Sequence, residues 1–227
     1  MVVEGQTEES FLNEMLAPEL GARGIFIDAH RITTGRKHGR TYRGGWGSYK
    51  KLQRDLALWM KQDQNPDAHF STMVDLYGLP ADFPGYEACR AIADPDQRVE
   101  CCEGHLVRDV AAQCGDHWAK RFIPYIQSHE FEALLFADPL KFLAAFPEAG
   151  TVIERLRQIR TECGGPERID DGEDTAPSKR VLQLLPEYAK VVSSIVIVKH
   201  IGLETLRQEC PHFGRWIDRL LDLPRGG

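Results

Sequence analysis

The segment Phe70-Ser71-Thr72-Met73-Val74-Asp75-Leu76 restricts the fold more than any other stretch of this chain. Nearly every residue in it is apolar or β-favouring, so it reads as a strand, and it closes on the carboxylate of Asp75. A charge on such a strand is costly to bury alone, so Asp75 needs a partner or a function. Neighbouring segments continue the pattern. Met1–Val3 is the tail of a strand ending in Glu4-Gly5; Thr7 is an N-cap, and Glu8, Phe11, Leu12, Met15 and Leu16 carry a helical period to about Leu20. Gly24-Ile25-Phe26-Ile27 reads as a second strand, and Tyr49, Leu52, Leu56 and Met60 mark one face of a helix. After Asp75 come turns from Tyr77 to Gly85 and a helical stretch from Asp96 to Cys114. Phe122-Ile123-Pro124-Tyr125-Ile126 is the fourth strand, its Pro124 indicating an edge or a strand start, and His129 to Phe136 turns helical.

Strands alternating with helices predict an α/β fold with a mostly parallel four-stranded sheet flanked by helices. Beyond Asp138 only helical patterns remain, near 147–163, 178–185, 188–200 and 203–221, with a polar loop over 164–177. The expected organisation is therefore an α/β domain over 1–137 and a helical C-terminal extension over 138–227 packed on it. A hydrophobic content of 42% with 27% charged residues is ordinary for a globular chain and excludes wholesale disorder.

The apolar run from Val191 to Val198, flanked by Lys190 and Lys199, is too short to span a bilayer, and Glu4, Glu8 and Glu9 stand where a secretory leader would be basic and then apolar. A cytoplasmic protein without membrane association is expected, and the six cysteines, lacking a spaced framework, are expected as reduced thiols. Cys102, His105, Cys114 and His117 have spacings permissible for zinc. One continuous helix would separate the two pairs by about 18 Å along its axis, which favours ordinary packing.

The net charge of −6 argues against nonspecific coating of nucleic acid, but its distribution is uneven. From Ala29 to Arg54 there is no acidic residue, while Arg31, Arg36, Lys37, Arg40, Arg43, Lys50, Lys51 and Arg54 all fall there among five glycines. A basic, glycine-bearing loop can approach phosphates through side chains and backbone N–H groups; a solvated surface loop is the alternative.

In parallel sheets ligands gather at the carboxyl ends of strands. Glu4, Asp75 and the Glu130/Glu132 pair fall at such ends, and Mg²⁺ (or Mn²⁺) needs only two or three convergent carboxylates because it keeps several waters. Such an ion could activate water and stabilise charge on a phosphoryl group. On a helix Glu130 and Glu132 are roughly 200° apart, so one ligand is expected from the pair, with Glu130 narrowly preferred. His129 would share a helical face with Glu132, as a proton-transfer partner or as a cap. Lys179 and Arg180 either supply positive charge to a scissile phosphate or simply follow a Ser178 N-cap.

Glu4-Gly5-Gln6-Thr7-Glu8 resembles the opening E-G-x-T-E motif of TOPRIM domains, the fold shared by topoisomerases, primases and overcoming-lysogenization-defect nucleases. Met73 to Pro80 with Asp82-Phe83-Pro84-Gly85, Arg121 to Ile126 running into His129 to Phe136, Ala176 to Arg180, and Cys210-Pro211-His212-Phe213 with Trp216 resemble the blocks of an uncharacterised bacterial TOPRIM-like family, domain of unknown function 4276. The resemblance spans nearly the whole chain. It implies a TOPRIM-type sheet, a divalent-metal site and an ABC/AAA-type ATPase encoded nearby in phage-defence settings. Where TOPRIM enzymes carry D-x-D, this chain has Asp75-Leu76-Tyr77, and Asp82 is the candidate to replace the missing carboxylate.

The expectation is a Mg²⁺-dependent nuclease acting beside an ATPase. Glu4, Asp75, Glu130 or Glu132, and Asp82 are its metal-ligand candidates, Lys179 a catalytic candidate, and Arg36, Lys37, Arg40, Arg43, Lys50 and Arg180 the nucleic-acid contacts. A catalytically weak regulatory module that binds nucleic acid or the ATPase is the alternative; nucleotidyl transfer, a third class, finds no template-binding module in support.

Overall fold

A computed structural model describes residues 1–37, 40–43, 47–169, 172 and 174–224. Strands β1 (Val2–Val3), β2 (His30–Arg31), β5 (Phe70–Asp75), β6 (Phe122–Ile123) and β7 (Ile126–Gln127) form one sheet in the order β2-β1-β5-β6, with β7 also on β5. Every pairing in it is parallel: Val2 lies opposite His30 and Thr72, and Val74 opposite Ile126. Strand β5 is thus central, as its unbroken burial requires.

Side chains alternate between two cores. Val3, Met73 and Ile123 point into one, Val2, Val74 and Phe122 into the other, the period of two expected of a sheet covered on both faces. The second core is closed by α3 (Tyr49–Gln62), α4 (Tyr86–Arg90) and α5 (Pro95–Cys114), with α6 (Asp116–Lys120) at its end. The first is closed by an N-terminal helical stretch and by the helices after residue 149: α7 (Gly150–Cys163), α8 (Pro177–Leu184), α9 (Lys190–Ile201), α10 (Leu203–Glu209) and α11 (Pro211–Leu221). The expected helix over 203–221 is two, because Pro211 cannot donate within a continuing helix and starts α11 instead.

The N-terminal stretch consists of α1 (Gln6–Phe11), a π turn over Leu12–Leu16 and α2 (Ala17–Gly21). The π turn, with the Ala17 N–H reaching back to Leu12, precedes Pro18, which has no N–H to give. Its N-cap is Gly5 rather than Thr7, which is buried within the first turn.

Three other expectations change. The second strand is His30–Arg31, not 24–27: with Val2 opposite His30, Ile25 to Ile27 fall before the first paired residue, and Phe26 is left exposed. The basic segment is not a loop throughout. Its backbone forms an antiparallel hairpin, β3 (Thr33–Lys37) and β4 (Arg40–Arg43), where β-favouring Thr33, Thr34, Thr41 and Tyr42 outweigh the glycines. Cys89 and Cys101 are joined in a disulfide instead of standing reduced, because α4 packs on α5 and brings their Cα atoms to 5.6 Å; Cys102, Cys114, Cys163 and Cys210 take part in no disulfide.

The fourth strand sits at the sheet edge beside β5, split at Pro124-Tyr125. Thr72 bridges the gap: its Oγ1 accepts the Tyr125 N–H and donates to the Tyr125 carbonyl, both at 3.1 Å. Among the described residues no helix is long and apolar enough to cross a membrane.

Candidate functional site

The carboxyl ends of β1, β5 and β7 meet at one rim. Glu4 leaves β1 with its N–H still on the Met73 carbonyl at 3.1 Å, and its Oε2 turns back to accept the Asp75 N–H at 3.2 Å. Gly78 closes a turn on the Asp75 carbonyl, and a Cβ there would lie 3.0 Å from both Glu4 carboxylate oxygens, so Glu4 rests in a cradle that only glycine leaves open. One helical turn on, Glu8 is buried and its Oε2 accepts the Gly5 N–H at 2.9 Å, completing half of a capping box.

Asp75 itself is 8% exposed, and its Oδ1 has no hydrogen-bond partner among the described residues. Burial pushes its carboxyl well above the usual range; Glu8 and then Glu4 push it further, and Lys190 opposes them. Glu8 is raised as well, chiefly by burial, with Glu4 adding to the rise against hydrogen bonds and Lys190. Glu132, wholly buried, is raised by burial against the pull of Lys190, whose Nζ lies 3.2 Å from Glu132 Oε2. Burial lowers the Lys190 ammonium, but Glu132, Asp75, Glu8 and Glu130 together outweigh it and hold the charge on. The lysine opens α9 with half its side chain in solvent while the ammonium faces the acids.

Glu130 and Glu132 part company here. His129 takes a left-handed backbone (φ 62°), a strain on the order of 1–2 kcal/mol for a residue with a Cβ. The 3₁₀ turn therefore starts only at Phe131, and His129 lies outside it, not on a face shared with Glu132. Extended Glu130 aims its Oε2 at the Ser178 N–H, 2.9 Å away at the start of α8. Glu132 instead pairs with Lys190 and adds to the rise of Asp75, while Glu130 acts on Lys190 and Glu132 through its charge. Ser128 Oγ, adjacent in sequence to His129, is also buried without a hydrogen-bond partner.

Asp82 does not fold back to Asp75. Its two carboxylate oxygens accept from the Tyr49 N–H and the Ser48 hydroxyl, each at 2.7 Å, so it caps α3, and those bonds hold its pKa below the usual range. Lys179 is exposed in the first turn of α8, beside Ser178, and Arg180 donates its Nε–H to the Thr175 carbonyl. Lys50 is exposed near the start of α3. Arg36, Lys37, Arg40 and Arg43 lie on the hairpin backbone, but their side chains fall outside what is described. Elsewhere in the basic run, Arg31 pairs with Glu9 at 2.9 Å and Arg54 with Asp55 at 3.1 Å.

Two residues of the acidic group were not singled out from the sequence. Glu8 could have been, since it lies one helical turn after Glu4 within the E-G-x-T-E motif; Lys190 carries no local signal. Oxygen donors of this kind suit a hard divalent cation, and Asp75 Oδ1 and the Glu132 carboxylate oxygens are buried atoms without a hydrogen-bond partner that such an ion would satisfy. Among the described residues no three of these carboxylates bring ligand oxygens within 4.8 Å of one another. No curated protein and no solved structure matches the chain. Its sequence matches the family described as Domain of unknown function (DUF4276) over residues 3–221, and the chain belongs to that family.

Proposed function

We propose that this protein is a Mg²⁺- or Mn²⁺-dependent nuclease of TOPRIM type that hydrolyses phosphodiester bonds of DNA or RNA at the rim formed by Glu4, Glu8, Asp75 and Glu132. The observation that carries the reading is Asp75, a carboxylate at the end of the central strand with one buried oxygen unpartnered and two like charges beside it. Such a group gives up its proton readily only when a cation takes the proton's place. Glu4 and Asp75 on adjacent parallel strands support the TOPRIM relation.

A bound divalent ion would supply a Lewis acid for the phosphoryl oxygen and a water acidified for attack. The chain's own residues do the rest. The Asp75 N–H and Gly78 fix Glu4, the Gly5 N–H fixes Glu8, and Lys190 neutralises Glu132 and can withdraw toward solvent as positive charge arrives. The hairpin bearing Arg36, Lys37, Arg40 and Arg43, with Lys50, is the proposed grip on the nucleic-acid backbone; Lys179 and Arg180 would add charge near Glu130. An ABC/AAA-type ATPase subunit is the proposed partner, and phage defence the proposed setting.

The test is cleavage of DNA and RNA with Mg²⁺ or Mn²⁺, with and without chelator. Turnover should disappear without metal and fall by at least ~100-fold in Asp75→Asn and Glu4→Gln. Undiminished cleavage in Asp75→Asn removes the proposal. The Lys190–Glu132 ion pair favours one second reading, a regulatory module whose acids are already compensated. That module would show no turnover and no divalent-cation binding by calorimetry.

A further inference from the structure

A second group of metal-binding side chains lies outside the acidic rim. Cys101 and His105 stand four residues apart on α5 and so share one helical face, and Cys89 of α4 packs against that face. Among the described residues this is the one trio of His, Cys, Asp and Glu side chains whose ligand atoms all lie within 4.8 Å of one another. Cys89 is fully buried, while Cys101 and His105 are partly so. The imidazole is held in place: at Gly85 (φ 74°) a Cβ would sit 2.3 Å from His105 Cδ2, so the ring lies directly over glycine backbone. This glycine comes just ahead of α4, so the same close approach that seats the ring sets Cys89 against it.

We propose that Cys89, Cys101 and His105 form a redox-gated zinc site, in which the disulfide and a zinc-bound dithiolate are mutually exclusive states. Tetrahedral zinc needs sulfurs about 3.8 Å apart and sulfur–nitrogen separations of about 3.5 Å, both within reach of side chains already this close. Two thiolates and a neutral imidazole cancel the charge of Zn²⁺, which suits a half-buried position, and the fourth ligand position is left to water. On oxidation, one thiolate attacks a peroxide oxygen and breaks the O–O bond. The second thiolate then attacks the sulfenic sulfur and expels hydroxide. The balance is Zn(SR)₂ + H₂O₂ + 2H⁺ → RSSR + Zn²⁺ + 2H₂O: two electrons pass from sulfur to peroxide and zinc leaves unchanged. A thiol reductant of the thioredoxin or glutathione class reverses the bond.

The experiment uses the full chain, reduced in a phosphine, made metal-free and titrated with Co²⁺ as a spectroscopic stand-in and then with Zn²⁺. Expected are stoichiometric thiolate-to-cobalt charge-transfer absorption, its displacement by zinc, its loss on treatment with peroxide, and its return on reduction. In the unaltered protein, zinc should slow alkylation of Cys89 and Cys101 at least ~10-fold, read by peptide mass spectrometry. His105→Ala should weaken zinc binding at least ~10-fold, whereas Asp75→Asn should leave the cobalt spectrum intact. The proposal is overturned if the reduced chain absorbs no more than the Cys89→Ser/Cys101→Ser double variant, or if zinc fails to protect the two thiols. It is overturned equally if His105→Ala binds zinc normally, or if Asp75→Asn abolishes the spectrum.

Discussion

Two buried polar regions in this protein are built to opposite standards. Around His212, every group is answered. Glu167 accepts the His212 and Phe213 N–H groups at 2.9 Å each, Glu103 accepts the Ile126 N–H at 2.9 Å and lies 3.1 Å from His212 Nε2, and the imidazole stacks on Tyr125. At the rim, Glu8, Asp75 and Glu132 crowd one half-exposed lysine, and Asp75 Oδ1 is left over. The first region ties α11 to the sheet edge and is explained by stability alone. The second leaves a buried carboxylate oxygen unanswered, which disfavours the charged form and is the feature on which the proposed site rests.

Mutation can break this contrast. Glu167→Ala should be the most damaging change: it strands two buried N–H groups at the start of α11, for a loss of about 3 kcal/mol in urea unfolding. Asp75→Asn should act in the other direction. A carboxyl raised in the folded state favours folding fully below its unfolded pKa, and that contribution is lost as pH climbs toward the folded pKa. The metal-free variant should therefore be more stable than the parent at pH 7–8, by about 1–2 kcal/mol, with the gap closing toward pH 4. Equal melting curves across that range would mean that Asp75 is compensated after all.

Gly78→Ala should cost about 1 kcal/mol and, by crowding Glu4, weaken divalent binding roughly 10-fold in calorimetry. Lys190→Met is the subtlest test. Leaving Glu132 unpaired should destabilise the metal-free chain by no more than about 1 kcal/mol, since half of the lysine is in solvent. The same change should enlarge the rise in Tm on adding Mg²⁺, because the ion no longer competes with an ammonium. A Tm response matching the parent would make the lysine a bystander.

Much of the fold was legible because periodicity and burial agree. Phe70 to Leu76 could only be a covered strand, and the Tyr49/Leu52/Leu56/Met60 face of α3 is buried as its spacing requires. Legibility failed where local rules meet tertiary register. Ile25 to Ile27 has a strand's composition but no paired strand opposite it, and the backbone of the glycine-bearing basic run pairs as an antiparallel hairpin. At the site, Glu4 and Asp75 stood out as strand-end carboxylates. That Glu130 reaches the start of α8 while Glu132 meets Lys190 goes with the left-handed backbone of His129, which no spacing rule foretells. Asp82 looked available as a ligand until the exposed start of α3 claimed both its oxygens.

The two-sided sheet also has a consequence in time. Val3, Met73 and Ile123 all precede in the chain most of the layer that shelters them, which runs from α7 onward. During synthesis, one face of the sheet therefore lacks most of its cover until those helices have been made. Lys190 likewise follows in the chain every carboxylate it faces, so the acids of the rim are made before the cation that offsets them.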